Sequence, residues 1–214
     1  MSESIDRLRE LLSAPLPGEQ AHRLISDYPR QSALAVRNQK PAPRESAVLL
    51  LIYPGTLGWT TVLIRRPEYD GVHSGQVSFP GGKKEPGDRD LYQTALRESS
   101  EEIGIREEEV LLLGQLTDIY IPPSHFLVTP YVGLSRTTPV FVPDPVEVSR
   151  IIEVPLQDIF QKNTIKQKKI FISRLDASLD VRYFDIDGET IWGATAMILS
   201  EFREIAAKAA PFVD

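Results

Sequence analysis

The sequence predicts a mixed α/β domain, with strands and helices interleaved around one core. Two apolar runs, residues 46–53 (SAVLLLIY) and 59–65 (WTTVLIR), flank the turn residues Pro54, Gly55 and Gly58 and read as a β-hairpin. Residues 79–105 read as a glycine loop, a helix and a stop. A run of small and apolar residues, 191–209, closes the chain as a further helix.

Composition narrows the class. A chain of 214 residues is long enough for one sizeable core. Cysteine is absent, which excludes disulfides, thiolate metal sites and a cysteine nucleophile, and agrees with a reducing cytoplasm. The net charge of −6 argues against nucleic acid as a partner through a broad basic surface. It leaves room for a small anionic substrate held by local basic groups and metal. No signal peptide is read, and no apolar run approaches the roughly 20 residues a membrane helix needs. The expectation is a cytoplasmic protein with no membrane partner.

From the start, residues 2–13 carry Ile5, Leu8, Leu11 and Leu12 at helical spacing and end at Pro15-Leu16-Pro17-Gly18. Such an amphipathic helix packs on its own domain or on a second subunit, so a homodimer is one expectation. Residues 19–44 read as extended or irregular, which divides the chain into an N-terminal segment, 1–44, and a main domain, 45–214. Beyond the hairpin and the helix, residues 110–120 and 127–133 read as strands, with the 121–125 loop running over the mouth of the site. His125 there reads as a loop residue. The proline-rich stretch 137–146 is a loop, 147–155 a strand and 156–161 a short helix. Lys162, Lys166, Lys168 and Lys169 read as a solvated hairpin turn, and Trp192 as a core residue.

The chemistry concentrates in the helix of residues 79–105. Glu98, Glu101 and Glu102 fall at i, i+3 and i+4, so three carboxylates share one face. Like charges at that spacing repel, and an oxygen-rich cluster of this kind suits a hard divalent cation such as Mg2+ or Mn2+. Ahead of it, Phe79-Pro80-Gly81-Gly82 lets backbone approach a ligand closely, and Gly104 suits the position just past the helix. Glu107, Glu108 and Glu109 read as a solvated face only.

This segment resembles the Nudix box, matching at Gly82, Arg97, Glu98, Glu101, Glu102, Gly104 and Ile105. Two positions depart from the general pattern: the gap from Gly82 to Arg97 is one residue longer, with Asp88 where a glutamate falls, and Ser99 replaces an apolar residue. The flanking residues Leu63, Arg66, Gly75 and Phe79 to Gly82, and the run 116–124 (LTDIYIPPS), are similar to the coenzyme A diphosphatase branch. Val62, Ile64, Pro67 and Gly71 depart from that branch, the last standing where it carries an arginine.

The resemblance implies an α/β/α Nudix fold, a mixed sheet sandwiched between helices with a loop-helix-loop catalytic motif. It implies metal-dependent hydrolysis of a nucleoside diphosphate derivative, with coenzyme A or its thioesters first. ADP-ribose, a dinucleotide or a nucleoside triphosphate is the alternative, and a catalytically silent nucleotide-binding module the other. By resemblance, Glu98, Glu102 and Gly82 belong to the metal shell, and Glu101 shares a second ion or steers the water. Arg97 orients a carboxylate, most simply Glu98 or Glu101. Glu147, with Glu153 second, is nominated as the acidic residue from outside the box. Arg65, Arg66, Gly81 and His73 are the candidates for substrate contact.

Overall fold

The computed structural model describes residues 2–27, 31–69, 74–172 and 177–209. Its central strand is β1 (Arg44–Gly55), which pairs antiparallel with β2 (Gly58–Arg65), Gly55 opposite Gly58. On its other side β1 pairs parallel with β7 (Phe126–Ser135), from Arg44 opposite Phe126 to Ile52 opposite Leu134. A strand bonded on both edges and covered on both faces must be apolar throughout. Leu49, Leu50, Leu51, Ile52 and Tyr53 are accordingly all buried.

Among the described residues the main sheet runs β3 (Val77–Ser78), β2, β1, β7, β5 (Val110–Gln115). The strand β4 (Gly81–Lys83) pairs with β1, β6 (Ile119–Ile121) with β7, and β8 (Arg150–Pro155) with β2. A smaller sheet holds β9 (Ile165–Ile172), β10 (Ala177–Ile186) and β11 (Glu189–Ile191), with β10 in the middle.

The period of two along β1 divides the core between two layers. Ala47, Leu49, Leu51 and Tyr53 pack with Ala95, Leu96 and Ile103 of helix α4 (Leu91–Ile103). Leu50 and Ile52 pack on the other face with α6 (Gly193–Ala206) and with Leu8 and Leu12 of α1 (Ser2–Ser13). The sheet is thus sandwiched between helices, as expected. No helix among the described residues is long and apolar enough to cross a membrane.

Several elements differ from the sequence expectation. The stretch expected to be irregular holds two short helices, α2 (Glu19–Arg23) and α3 (Ala33–Arg37), and buries Ile25 and Val36. The strand expected over 110–120 breaks after Gln115, following a register shift between Leu112 and Gly114, and resumes as β6. Lys166, Lys168 and Lys169 lie on β9 rather than in a turn, because the hairpin is longer than the apolar residues alone indicate. Glu147 sits in a turn, with the strand starting only at Arg150. Short α5 (Leu156–Phe160) follows β8 as expected. Trp192 is only half-buried, at the start of α6.

One buried carboxylate ties the N-terminal segment to the sandwich. Glu201 of α6 is 0% exposed and accepts from Gly18 N at 3.2 Å, His22 Nε2 at 3.1 Å, Thr117 N at 3.1 Å and Thr117 Oγ1 at 2.6 Å. Burial pushes its carboxyl up, but the hydrogen bonds from His22 and Thr117 outweigh that and hold it below the usual carboxylate range. Its contribution to stability is therefore present above the unfolded-state pKa and lost as acid titrates the folded group. Glu201→Ala, which strands four donors, is expected to cost about 3–5 kcal/mol in denaturant unfolding. A loss below about 1 kcal/mol would show that water takes over those donors.

Candidate active site

Helix α4 is fixed at both ends by its own sequence. Asp90 caps the start, its carboxylate accepting from Gln93 N at 2.8 Å. Gly104 ends it in the left-handed region, φ 73°, where a Cβ would also press on Val142. The chain after β7 then folds back onto this end: Val142 N donates to Ile103 O and Asp144 N to Glu102 O, each at 2.9 Å. Val146 N and Val148 N in turn bond to Asp144. That turn carries Glu147 to the carboxylate face.

Arg97 organises the face. Its Nε donates to Asp88 Oδ1 at 2.9 Å, Nη1 to Glu101 Oε2 at 2.9 Å, and Nη2 to Glu98 Oε1 at 2.9 Å, Asp88 Oδ2 at 3.1 Å and Lys83 O at 3.2 Å. The Asp88 carboxylate also accepts from Glu85 N and Thr94 Oγ1, both at 2.9 Å. The Arg97 hydrogen bond is the main cause holding Asp88 well below the usual carboxylate range. Asp88 is therefore the anchor of the longer loop, a role the sequence reading passed over, although its place in the box marked it. Ser99 departs from the box harmlessly: it is fully buried and its hydroxyl donates to Ala95 O at 2.7 Å.

The glutamates occupy three environments. Glu102 is 1% exposed; Oε2 accepts from Gly81 N at 2.9 Å, and Oε1 has no hydrogen-bond donor, Arg66 Nη1 standing 3.7 Å away. Burial pushes its carboxyl up to about 8, with Glu98 and Glu147 adding to the rise against Gly81 and Arg66. Glu98 lies against Gly82, where any Cβ would overlap its carboxylate, and burial raises it too, helped by Glu101 and Glu147. Glu101 is exposed and held by Arg97.

The donor set fits a hard divalent cation. Three carboxylates, Glu98, Glu102 and Glu147, repel one another, and a buried oxygen of Glu102 has no hydrogen-bond donor and only the Arg66 guanidinium at 3.7 Å, a state that a further cation or a proton relieves. Among the described residues no three acidic or histidine side chains form a ready-made metal cage, since Arg97 draws Glu98 and Glu101 toward itself.

The remaining candidates divide. Arg66 faces Glu102 and Gly81 bonds to it. Arg65, on the opposite side of β2, is turned to Glu189 and so is placed away from the carboxylate face, because successive strand residues alternate. Glu153 accepts from Tyr53 OH at 2.8 Å within the sheet. His125 is a loop residue bonded to Tyr120 OH at 2.8 Å. His73 and Gly71 lie outside the described residues.

Similarity to known proteins runs over more than half of the chain. The NUDIX domain family model matches residues 43–175. The chain is 35% identical over 145 residues to the uncharacterized Nudix hydrolase NudL of Photorhabdus laumondii, covering 68% of this chain and 76% of the relative. NudL of Yersinia enterocolitica is 36% identical over 145 residues, covering 68% and 73%. A Nudix hydrolase from M. smegmatis, RenU, superposes with a TM-score of 0.54 at 16% identity over 77% of this chain and 86% of that one, a likeness of fold. The matched span takes in the glycine loop, α4 with all three glutamates, and the turn of Glu147, and on that ground the chain belongs to the Nudix hydrolase family and is a Nudix diphosphatase.

Proposed function

We propose that this hydrolase cleaves the diphosphate of coenzyme A or of one of its thioesters, with Mg2+ or Mn2+ as cofactor, in the cytoplasm. The products are adenosine 3′,5′-bisphosphate and 4′-phosphopantetheine or its acylated form. The observation that carries the hydrolytic part is Glu102, buried beside Glu98 with one oxygen lacking any donor. The choice of coenzyme A is supported by the flanking residues Leu63, Arg66, Gly75, Phe79 to Gly82 and the run 116–124.

When bound, the divalent ion supplies neutralisation of the diphosphate oxygens and a lowered pKa for the attacking water. Glu98 and Glu102 are the residues to hold it, with the Gly82 backbone alongside. Arg97 keeps Glu98 and Glu101 in fixed directions, so Glu101 is left to steer the water or share a second ion. Arg66, part-exposed and close to Glu102, is the cation placed to meet a phosphate oxygen. Glu147 approaches Glu98 and Glu102 from outside the helix, where a base is needed. Gly71 in place of an arginine favours a second reading, another nucleoside diphosphate derivative such as ADP-ribose or a dinucleotide. Retention of all three glutamates weighs against a silent binding module.

A panel of coenzyme A, ADP-ribose, NADH, a dinucleoside polyphosphate and a nucleoside triphosphate, assayed with Mg2+ or Mn2+ and read by product mass, is expected to favour coenzyme A. Preference for another member refutes the coenzyme A assignment. Glu98→Gln is expected to lower kcat by at least about a hundredfold, since several kcal/mol of charge stabilisation depend on the ion it holds. Its thermal unfolding should stay near that of the parent, and unimpaired turnover would sink the metal role. Because the raised Glu102 carboxyl is protonated below about 8, the ion must displace a proton there. Calorimetric Mn2+ affinity should therefore rise with pH up to about 8 and level off above it, and a flat profile would remove Glu102 from the ligands.

A further inference from the structure

Arg65 and Arg150 are cross-strand partners in the β2–β8 ladder, two cations in a pairing that repels. Between them lies the Glu189 carboxylate of β11, 2% exposed. One oxygen accepts from Arg65 Nη2 and the other from Arg150 Nη1 at 2.9 Å, while Arg150 also donates to Asp187 in the turn before β11. This clamp closes where two groups of the site leave the sheet. Arg66, the next residue on one side, faces Glu102. On the other side, Arg65 O accepts from Ser149 N and Ser149 Oγ, each at 2.9 Å, and Ser149 ends the turn that carries Glu147.

We propose that Glu189 is a positioning residue for the hydrolysis: by bridging Arg65 and Arg150 it holds the ends of β2 and β8 together and so sets where Arg66 and Glu147 stand. It rests on the reading of Glu98, Glu102 and Glu147 given above. Glu189 belongs to the small sheet and lies beyond residues 43–175, the span of the family match. Without its charge the two guanidinium groups are no longer bridged across adjacent strands, and only Arg150 keeps a carboxylate partner, in Asp187. Their repulsion is relieved by swinging outward or by loosening the Arg65–Arg150 end of the ladder, and either releases the tie between the chain at Arg66 and the turn of Glu147. A misplacement of about 1 Å at reacting groups is enough to cost on the order of a hundredfold in rate.

The test uses the full chain carrying Glu189→Gln, Arg150→Gln and both. For Glu189→Gln, kcat per folded molecule is expected to fall about tenfold or more, with kcat taking a larger share than KM. Mn2+ affinity read by calorimetry should weaken with it, because Glu147 adds negative charge beside Glu98 and Glu102. The double variant should recover part of the loss, because removing one cation relieves the repulsion. A lowered Tm with parental kcat and Mn2+ affinity per folded molecule would make Glu189 purely structural and overturn the proposal. Should Glu189→Gln fail to fold, Arg150→Gln, which keeps the Arg65 pair, must show the same losses in smaller measure, and parental values there also overturn it. A parent protein that binds no Mn2+ and turns over no panel member defeats the metal reading itself. A parent that binds Mn2+ and matches Glu189→Gln defeats only the positioning role.

Discussion

The Arg97 guanidinium holds the loop and the helix of this site in one piece. Asp88 comes from the end of the glycine loop, Lys83 O from β4, and Glu98 and Glu101 from α4 itself, and all accept from the one side chain. Only a planar fork of donors can serve so many acceptors in fixed directions, so a lysine in its place would leave most of them unpaired. The ionic contacts push Arg97 up from its ordinary range and Asp88 down, and both groups stay charged over the whole physiological span. The extra residue in the loop is accommodated because Asp88, pinned also by Glu85 N and Thr94, closes it onto the helix.

Against that rigid hub, the neighbouring carboxylates are left short of positive charge. Glu102 is buried with a single backbone donor and a distant arginine, and Glu98 shares its one strong partner with Asp88 and Glu101. Leaving such groups ionised in a low-dielectric setting is unfavourable, and the folded chain answers by raising their proton affinity. In the proposed function a divalent cation would relieve this imbalance in place of a proton, so that stability and metal affinity would draw on the same electrostatic deficit.

Support for the site reaches beyond the family match. The N-terminal segment is docked by Glu201 through His22, Gly18 and Thr117, which also fixes the chain between β5 and β6. The small sheet contributes Glu189, whose two arginines lie on the strands that deliver Arg66 and Glu147. Both are buried carboxylates with several charged or backbone donors, the arrangement in which removing one partner is costly and directional precision is high.

The sequence by itself determined the site helix. The order of Gly82, Arg97, Glu98, Glu101, Glu102 and Gly104 sets a spacing that local helix geometry converts directly into one acidic face with a glycine stop. The apolar runs of β1 and β2 were legible for the same reason, since their patterns are local. Tertiary structure decided what each charged group meets. That Asp88 anchors Arg97, that Arg65 turns to Glu189 while Arg66 turns to Glu102, and that Glu147 lies in a turn rather than a strand depend on contacts between residues far apart in the chain. The two short helices of residues 19–44 escaped the reading because their brief apolar pattern gains stability only by packing on α6 and β6. Local alternation puts Arg65 and Arg66 on opposite faces, but which face meets Glu102 and which meets Glu189 was decided by how α4 and β11 pack on the sheet.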